Sequence, residues 1–201
     1  MDEHAYDQML GIKPTSGLQV LSSSIHQNRY EATPYEALEV LCTEYPFTRR
    51  DGVVDYGCGK GRVPFFIHNR FKLSVTGVEV NPHLYQEALE NQASYLEKIK
   101  KEAGSIRFER ILAEKYEVME DQNKFYFFNP FSTQVFIKVV NNILKSAEKN
   151  PRAVDLILYY PTTEYLHYLH DRTAFELYKD IKVPGLFEKD EHERFLIFRS
   201  L

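Results

Sequence analysis

Val53-Val54-Asp55-Tyr56-Gly57-Cys58-Gly59-Lys60-Gly61-Arg62 is the stretch that decides the fold. It reads as a short apolar strand delivering an acid and three alternating glycines into the start of a helix. Glycine accepts positive φ and carries no Cβ, so Gly57, Gly59 and Gly61 let the backbone turn sharply and come close to a ligand. A dinucleotide fingerprint wants Gly-x-Gly-x-x-Gly, which would place its third glycine at Arg62, and it has no role for an acid directly before the loop. A nicotinamide dehydrogenase is therefore disfavoured. The next strand, Ser74-Val75-Thr76-Gly77-Val78-Glu79-Val80, carries a second acid, Glu79. Strand, acid, glycine loop, helix, strand and second acid, in that order, make a nucleotide-cofactor site.

The pattern Asp55-x-Gly57-x-Gly59-x-Gly61 resembles motif I of the class I S-adenosylmethionine-dependent methyltransferases, with Glu79 in the place of the acid that holds the two ribose hydroxyls in that family. The chemistry suits the parts: a carboxylate accepts twice from a ribose diol, and the ammonium of the amino acid end seeks a negative charge or a carbonyl. The resemblance implies S-adenosyl-L-methionine as cofactor, with Asp55, Gly57, Cys58, Gly59, Gly61, Glu79 and Val80 around it. Tyr30-Glu31-Ala32-Thr33-Pro34 lies ahead of motif I much as a Thr-Pro segment does in amino-methyltransferases, which places Thr33 at the methionine end. The acid expected after the third strand to meet the adenine ring is missing, since Leu112-Ala113 stands there. Glu114 is the substitute candidate.

Outward from the loop the chain alternates. Residues 1–32 are polar, include Ser22-Ser23-Ser24 and show little periodicity, so they read as an N-terminal extension that partly covers the cofactor site. A methyltransferase domain over residues 33–201 follows. Thr33, Pro34 and Glu36 predict a capped helix start, and Pro46 its end. Helices are expected through about Asn69, from Asn81-Pro82 to Gly104, and across Val135–Leu144. Strands are expected over Ser105–Leu112, Lys124–Phe128 and Ala153–Tyr160, then two more over Phe175–Val183 and Glu193–Arg199 joined by a loop. The array predicts an α/β, Rossmann-like, doubly wound sheet, mostly parallel with an antiparallel C-terminal edge strand. Seven strands are what the family resemblance implies.

Ligands of a doubly wound sheet lie beyond the carboxyl ends of its strands, so the residues after the fourth strand should face the transferred group. They are Asn129-Pro130-Phe131-Ser132. This run resembles the Asn-Pro-Pro-Tyr/Phe motif of methyltransferases acting on planar amino nitrogens. The resemblance makes Asn129, Pro130 and Phe131 candidate catalytic residues, with Asn129 also beside the cofactor. Only one proline follows Asn129, however, so Phe131 takes the second-proline position and Ser132 the aromatic one. The competing reading of Asn129-Pro130 is a strand-terminating turn with Asn as a cap.

Composition bounds the rest. With 201 residues, 43% hydrophobic content, 14 Phe and 14 Tyr, the chain has ample core-forming material for one α/β domain. A net charge of −4 supplies no strong global nucleic-acid signal. Lys60, Arg62, Arg70 and Lys72 read as a local anion patch or a solvated surface. Cys42 and Cys58 are too few for a disulfide framework. Met1-Asp2-Glu3-His4 has neither a basic n-region nor an apolar h-region, and no run approaches a membrane span, so a soluble, cytoplasmic protein is expected. His167-x-x-His170-Asp171 has metal-ligand spacing but no evident third ligand, and no metal site is expected. Small molecule, protein and RNA acceptors stay open, and the alternative to an enzyme is a non-catalytic adenosylmethionine-binding module of the same fold.

Overall fold

The computed structural model describes residues 2–13, 31–99 and 104–201. Ser22-Ser23-Ser24 and Tyr30 lie outside the described residues. The elements run α1 Glu3–Leu10, α2 Tyr35–Glu44, β1 Gly52–Tyr56, α3 Arg62–Phe71, β2 Ser74–Val78, α4 Pro82–Lys98 and β3 Ile106–Glu109. A 3-10 turn at Ala113–Lys115 comes next, followed by β4 Gln122–Phe127, α5 Thr133–Lys149, β5 Val154–Tyr159, α6 Thr163–Arg172, β6 Glu176–Lys182 and β7 Arg194–Ser200. One seven-stranded sheet has the order β3-β2-β1-β4-β5-β7-β6. The first five are parallel to their neighbours, whereas β7 pairs antiparallel with both β5 and β6. The order reverses at β1 and β4, the switch point beyond whose carboxyl ends ligands of such sheets bind.

The strands form where the sequence pattern predicts them because each is apolar where it must be covered on both faces. In β5 all six residues are buried, and in β1 all five. Successive side chains alternate between two cores. Val53 joins Leu38, Leu41, Phe65 and Tyr95 on the α2, α3 and α4 side, whereas Val54 and Tyr56 join Phe136, Val139, Ile143 and Leu169 on the α5 and α6 side. Helix starts are chemically marked: Asn81 accepts from the N–H groups of His83 (2.9 Å) and Leu84 (3.3 Å), with Pro82 in the first turn.

The N-terminal ends of β4 and β5, together with the C-terminal end of the antiparallel β7, carry a buried ion cluster. Register aligns Lys124, Asp155 and Arg199 across the three strands. Asp155, fully buried, accepts from Lys124 Nζ at 2.5 Å, from Arg199 Nε and Nη2 at 2.7 and 2.8 Å, and from the Tyr45 hydroxyl. Burial alone would raise its carboxyl, but the donors from Arg199, Lys124 and Tyr45 win and hold it below the ordinary carboxylate value.

Two expectations change. The N-terminal extension begins with a helix, α1, that docks through polar contacts of Glu3 and Asp7 as well as through Leu10 in the core and Tyr6 packed against it. Asp2 caps it through the Ala5 N–H, Gly11 closes it at φ 73°, and its buried residues are Asp7 and Leu10. Thr33 is not a helix cap: Pro34 precedes α2, with no side-chain cap, and the Thr33 hydroxyl bonds the Tyr126 hydroxyl at 2.8 Å.

Candidate functional site

The glycine loop after β1 folds over the end of β2. Gly57 N–H and Cys58 N–H both donate to the Val78 carbonyl, at 2.8 and 3.1 Å, and Gly61 N–H closes the turn on the Cys58 carbonyl at 2.9 Å. Gly57, Gly59 and Gly61 all have positive φ, at 76°, 55° and 92°. Two of them answer to protein packing as well as to backbone conformation. A Cβ at Gly57 would strike the Pro130 ring, and one at Gly61 would stand 2.6 Å from the Phe65 ring and 2.8 Å from that of Phe108. At Gly57 and Gly61 the protein's own packing therefore already requires glycine.

Glu79 follows β2 directly and is buried. Its Oε2 accepts the Gly59 N–H at 2.9 Å and its Oε1 the Asn81 N–H at 2.8 Å, with the Val80 N–H also turned toward it. Burial raises its pKa, and those three N–H groups partly offset the rise. The carboxylate is thereby fixed against the glycine loop in one orientation. Asp55, in register with Gly77 and Tyr126, is 4% exposed, and its side chain forms no hydrogen bond or ion pair among the described residues. Burial, and then the nearby charge of Glu79, push its carboxyl well above the ordinary value. The buried Cys58 thiol is likewise driven upward by burial and then by Asp55 and Glu79. Asp55, Cys58, Gly59 and Glu79 thus form one electrostatic unit.

Thr33 is brought to this unit: its hydroxyl meets Tyr126, the β4 neighbour of Asp55, and its carbonyl accepts from Arg62 Nη1 at 2.9 Å. Glu114 sits in the 3-10 turn beyond β3, where its backbone carbonyl accepts from Asn142 of α5 at 3.0 Å. The anion patch read from Lys60, Arg62, Arg70 and Lys72 is not present. Lys60 and Arg62 are buried, Lys60 pairs with Glu87 at 2.9 Å, Arg62 with Glu3 and Arg70 with Glu39, and Lys72 donates to Asn69 at 3.5 Å.

The ends of β4 and β5 form the facing wall. Asn129 and Tyr160 both take left-handed φ, 41° and 50°, which is uncommon outside glycine. The Asn129 amide nitrogen donates to the Tyr160 carbonyl and ties the two strand ends together. Pro130 packs on Gly57. Phe131 is buried, edge-on to Tyr56 and Phe127, with its carbonyl taking the Tyr165 hydroxyl. Its assignment as an acceptor-facing residue is corrected: the ring fills the core under α5 and α6. The half-buried aromatic at this wall is instead Phe128, 4.9 Å from the Tyr159 ring. Tyr160 stands beside it, 5.2 Å from the His192 ring, and gives its hydroxyl to Asp190 at 2.5 Å. The Tyr159 hydroxyl goes to Glu193. Phe128 and the 190–193 loop escape a reading of the sequence because only the antiparallel return of β7 brings that loop beside β5.

Among the described residues no group of three or more His, Cys, Asp or Glu could hold a metal, and His170 instead pairs with Asp171 at 2.8 Å. No described helix is long and apolar enough to cross a membrane.

No family model and no curated protein sequence matches the chain. Solved structures do match, at the level of fold. The PH0226 protein from Pyrococcus horikoshii OT3 superposes with a TM-score of 0.62 at 14% identity, over 83% of this chain and 89% of its own. An RNA methyltransferase from Salinibacter ruber, in complex with S-adenosyl-L-homocysteine, gives 0.51 at 13%, over 84% and 92%. The Pyrococcus abyssi tRNA (uracil-54, C5)-methyltransferase, also with S-adenosyl-L-homocysteine, gives 0.56 at 12%; 86% of this chain spans only 40% of that protein. The seven-stranded Rossmann-like architecture is therefore one that adenosylmethionine-dependent methyltransferases share.

Proposed function

We propose that this protein is an S-adenosyl-L-methionine-dependent methyltransferase whose acceptor presents an amino nitrogen. The observation that carries the reading is the pair of buried acids at the glycine loop. Glu79 is held by three backbone N–H groups, while the side chain of the buried Asp55 has no hydrogen bond or ion pair among the described residues. Burying a carboxylate without compensation is costly, and the cost is offset when a ligand brings the missing cation or donors. The cofactor fits this donor set: Glu79 for a ribose diol, Asp55 and the Thr33 neighbourhood for the amino acid end, and the half-buried Glu114 toward the adenine.

When bound, adenosylmethionine supplies a methyl group activated by its sulfonium. The chain's own contribution is binding, orientation and exclusion of water, so positioning accounts for most of the rate. Asn129, whose amide nitrogen ties β4 to the Tyr160 carbonyl, stands at the strand end that would face the acceptor. Phe128, Tyr160 and His192 offer flat surfaces for a planar or cationic group. Asp190 and Glu193 beside them favour an amine over a phosphate backbone. A cytoplasmic setting agrees with two cysteines that stay free.

The second reading, an adenosylmethionine-binding module without turnover, is favoured by two facts about the acceptor side: the Asn129 amide already ties two strand ends, and Phe131 belongs to the core. The test is titration calorimetry with adenosylmethionine and adenosylhomocysteine on wild type and Glu79→Ala, followed by methyl-transfer assays on a panel of amines. Glu79→Ala is expected to weaken binding by about 1.5–3 kcal/mol, the range for hydrogen bonds to a charged acceptor. Equal affinity in the variant removes Glu79 from the ribose role. Tight binding by wild type with no transfer to any amine moves the conclusion to the module.

A further inference from the structure

The two residues that flank Gly61 are both held from outside the loop by groups that lead back to α1. On one side, Asn91 of α4 is 1% exposed and uses both halves of its amide. Its Oδ1 accepts the backbone N–H of Lys13, just beyond α1, at 2.9 Å, and its Nδ2 donates to the carbonyl of Lys60 at 3.1 Å. On the other side, Arg62 is 3% exposed, and its Nη1 reaches both Glu3 of α1 and the Thr33 carbonyl. The guanidinium lies 4.4 Å over the ring of Tyr35. Tyr35 is itself fastened to α1 three times: its backbone N–H donates to Glu3 at 2.9 Å, its hydroxyl to Asp7 at 2.7 Å, and its ring stacks on Tyr6 at 4.5 Å.

The hydrogen bonds among these contacts are wholly or partly buried, so they fix geometry as well as adding cohesion. Each buried donor must find its acceptor in one arrangement or lose the bond at full desolvation cost. Leu10 and Ile12 add apolar packing to the dock, and the directional polar contacts set its register. The carbonyl of Lys60 and the side chain of Arg62 bracket Gly61, and Gly59, which holds Glu79, is one residue further back.

We propose that α1 is a brace for the glycine loop, and that Asn91 and Glu3 are positioning residues that set the loop amides, and through Gly59 the Glu79 carboxylate, in the orientation that receives ligand. The identity of that ligand rests on the cofactor reading above; the brace itself does not.

Two variants and two measurements test it on the full chain. Asn91→Asp keeps an acceptor for the Lys13 N–H but loses the donor to Lys60. Glu3→Gln removes the charge facing Arg62 at a site whose side chain is 45% exposed, so it carries the test if the first variant fails to fold. Amide hydrogen exchange at Gly59 and Gly61, without added ligand, is expected to speed up by about tenfold or more in a variant that still melts cooperatively. Adenosylhomocysteine affinity is expected to fall by about tenfold, the scale of a misplaced binding loop. Faster exchange with no binding by wild type supports the brace and overturns the cofactor reading. Unchanged exchange in a folded variant overturns the brace, even if the melting temperature falls. Unchanged affinity where wild type binds also overturns it, because the loop then needs no setting.

Discussion

Asp55 and Asp155 are both buried acids in parallel strands of one sheet, yet their surroundings differ in every respect that matters to charge. Asp155, near the N-terminal end of β5, is met by Lys124, Arg199 and Tyr45 and is held below its ordinary pKa. Asp55, near the carboxyl end of β1, has no side-chain hydrogen bond or ion pair among the described residues and is pushed well above its ordinary pKa by burial and by Glu79. A protein that can compensate a buried carboxylate fully at one end of its sheet has left another uncompensated at the end where ligands bind. The comparison separates a stabilising charge from one that waits for a partner.

The largest expected effect comes from breaking the compensated end. Asp155→Ala would leave Lys124 and Arg199 facing each other without their shared anion, and it should cost about 3–5 kcal/mol in urea denaturation. A cost near zero would mean that the cluster is solvated and not a buried ion group. At the other end the sign reverses. Asp55→Asn should make the ligand-free protein more stable, because a neutral amide is cheaper to bury than a carboxylate, while weakening adenosylmethionine binding by about 1.5–3 kcal/mol in calorimetry. A loss of stability with binding unchanged would make Asp55 a structural acid like Asp155. Smaller again is Asn129→Ala, which asks whether the tie between β4 and β5 behaves like the stabilising end or the binding end. As a strand-end tie, its loss costs about 0.5–2 kcal/mol in thermal melts and leaves turnover alone. As an amine-orienting group, it lowers turnover by about 100-fold at unchanged cofactor affinity.

Much of this contrast is legible in the amino-acid order. Parallel strands buried on both faces announce themselves as apolar runs, such as Phe125-Tyr126-Phe127 and Leu156-Ile157-Leu158, and both runs lie in strands at the expected places. Glu79 is legible from its place after a strand. What hydrophobic pattern cannot carry is polar and long-range. The α1 helix docks through Glu3, Asp7 and Tyr6 as well as Leu10, and the partners of its polar contacts lie too far along the chain for local periodicity to reveal them. Lys60 and Arg62 look like a surface patch in sequence because nothing local says that Glu87 and Glu3 will neutralise them. Thr33 has the spacing of a capping box, but the neighbouring strand offers the Tyr126 hydroxyl and outcompetes the helix. Phe131 follows an Asn-Pro that points to an active site, yet its ring turns into the core against Tyr56 and Phe127.

The most delicate test compares the two aspartates by pH alone. Asp155 has a depressed folded-state pKa, so the stability it contributes is fully present above the unfolded carboxylate value and is lost as pH falls through the depressed one. Asp55 has a raised folded-state pKa, so it penalises the folded state at neutral pH, and the penalty is relieved as pH falls from that raised value toward the unfolded one. The stability gap between Asp55→Asn and wild type should therefore narrow on mild acidification, before Asp155 begins to titrate. Over the same window adenosylmethionine affinity should fall, because a protonated Asp55 no longer attracts an ammonium. Urea melts and calorimetry at matched pH values, on wild type and Asp55→Asn, measure both. A gap that stays constant from neutral pH down to the ordinary carboxylate range would mean that Asp55 carries no uncompensated charge, and the contrast between the two ends of the sheet would fail with it.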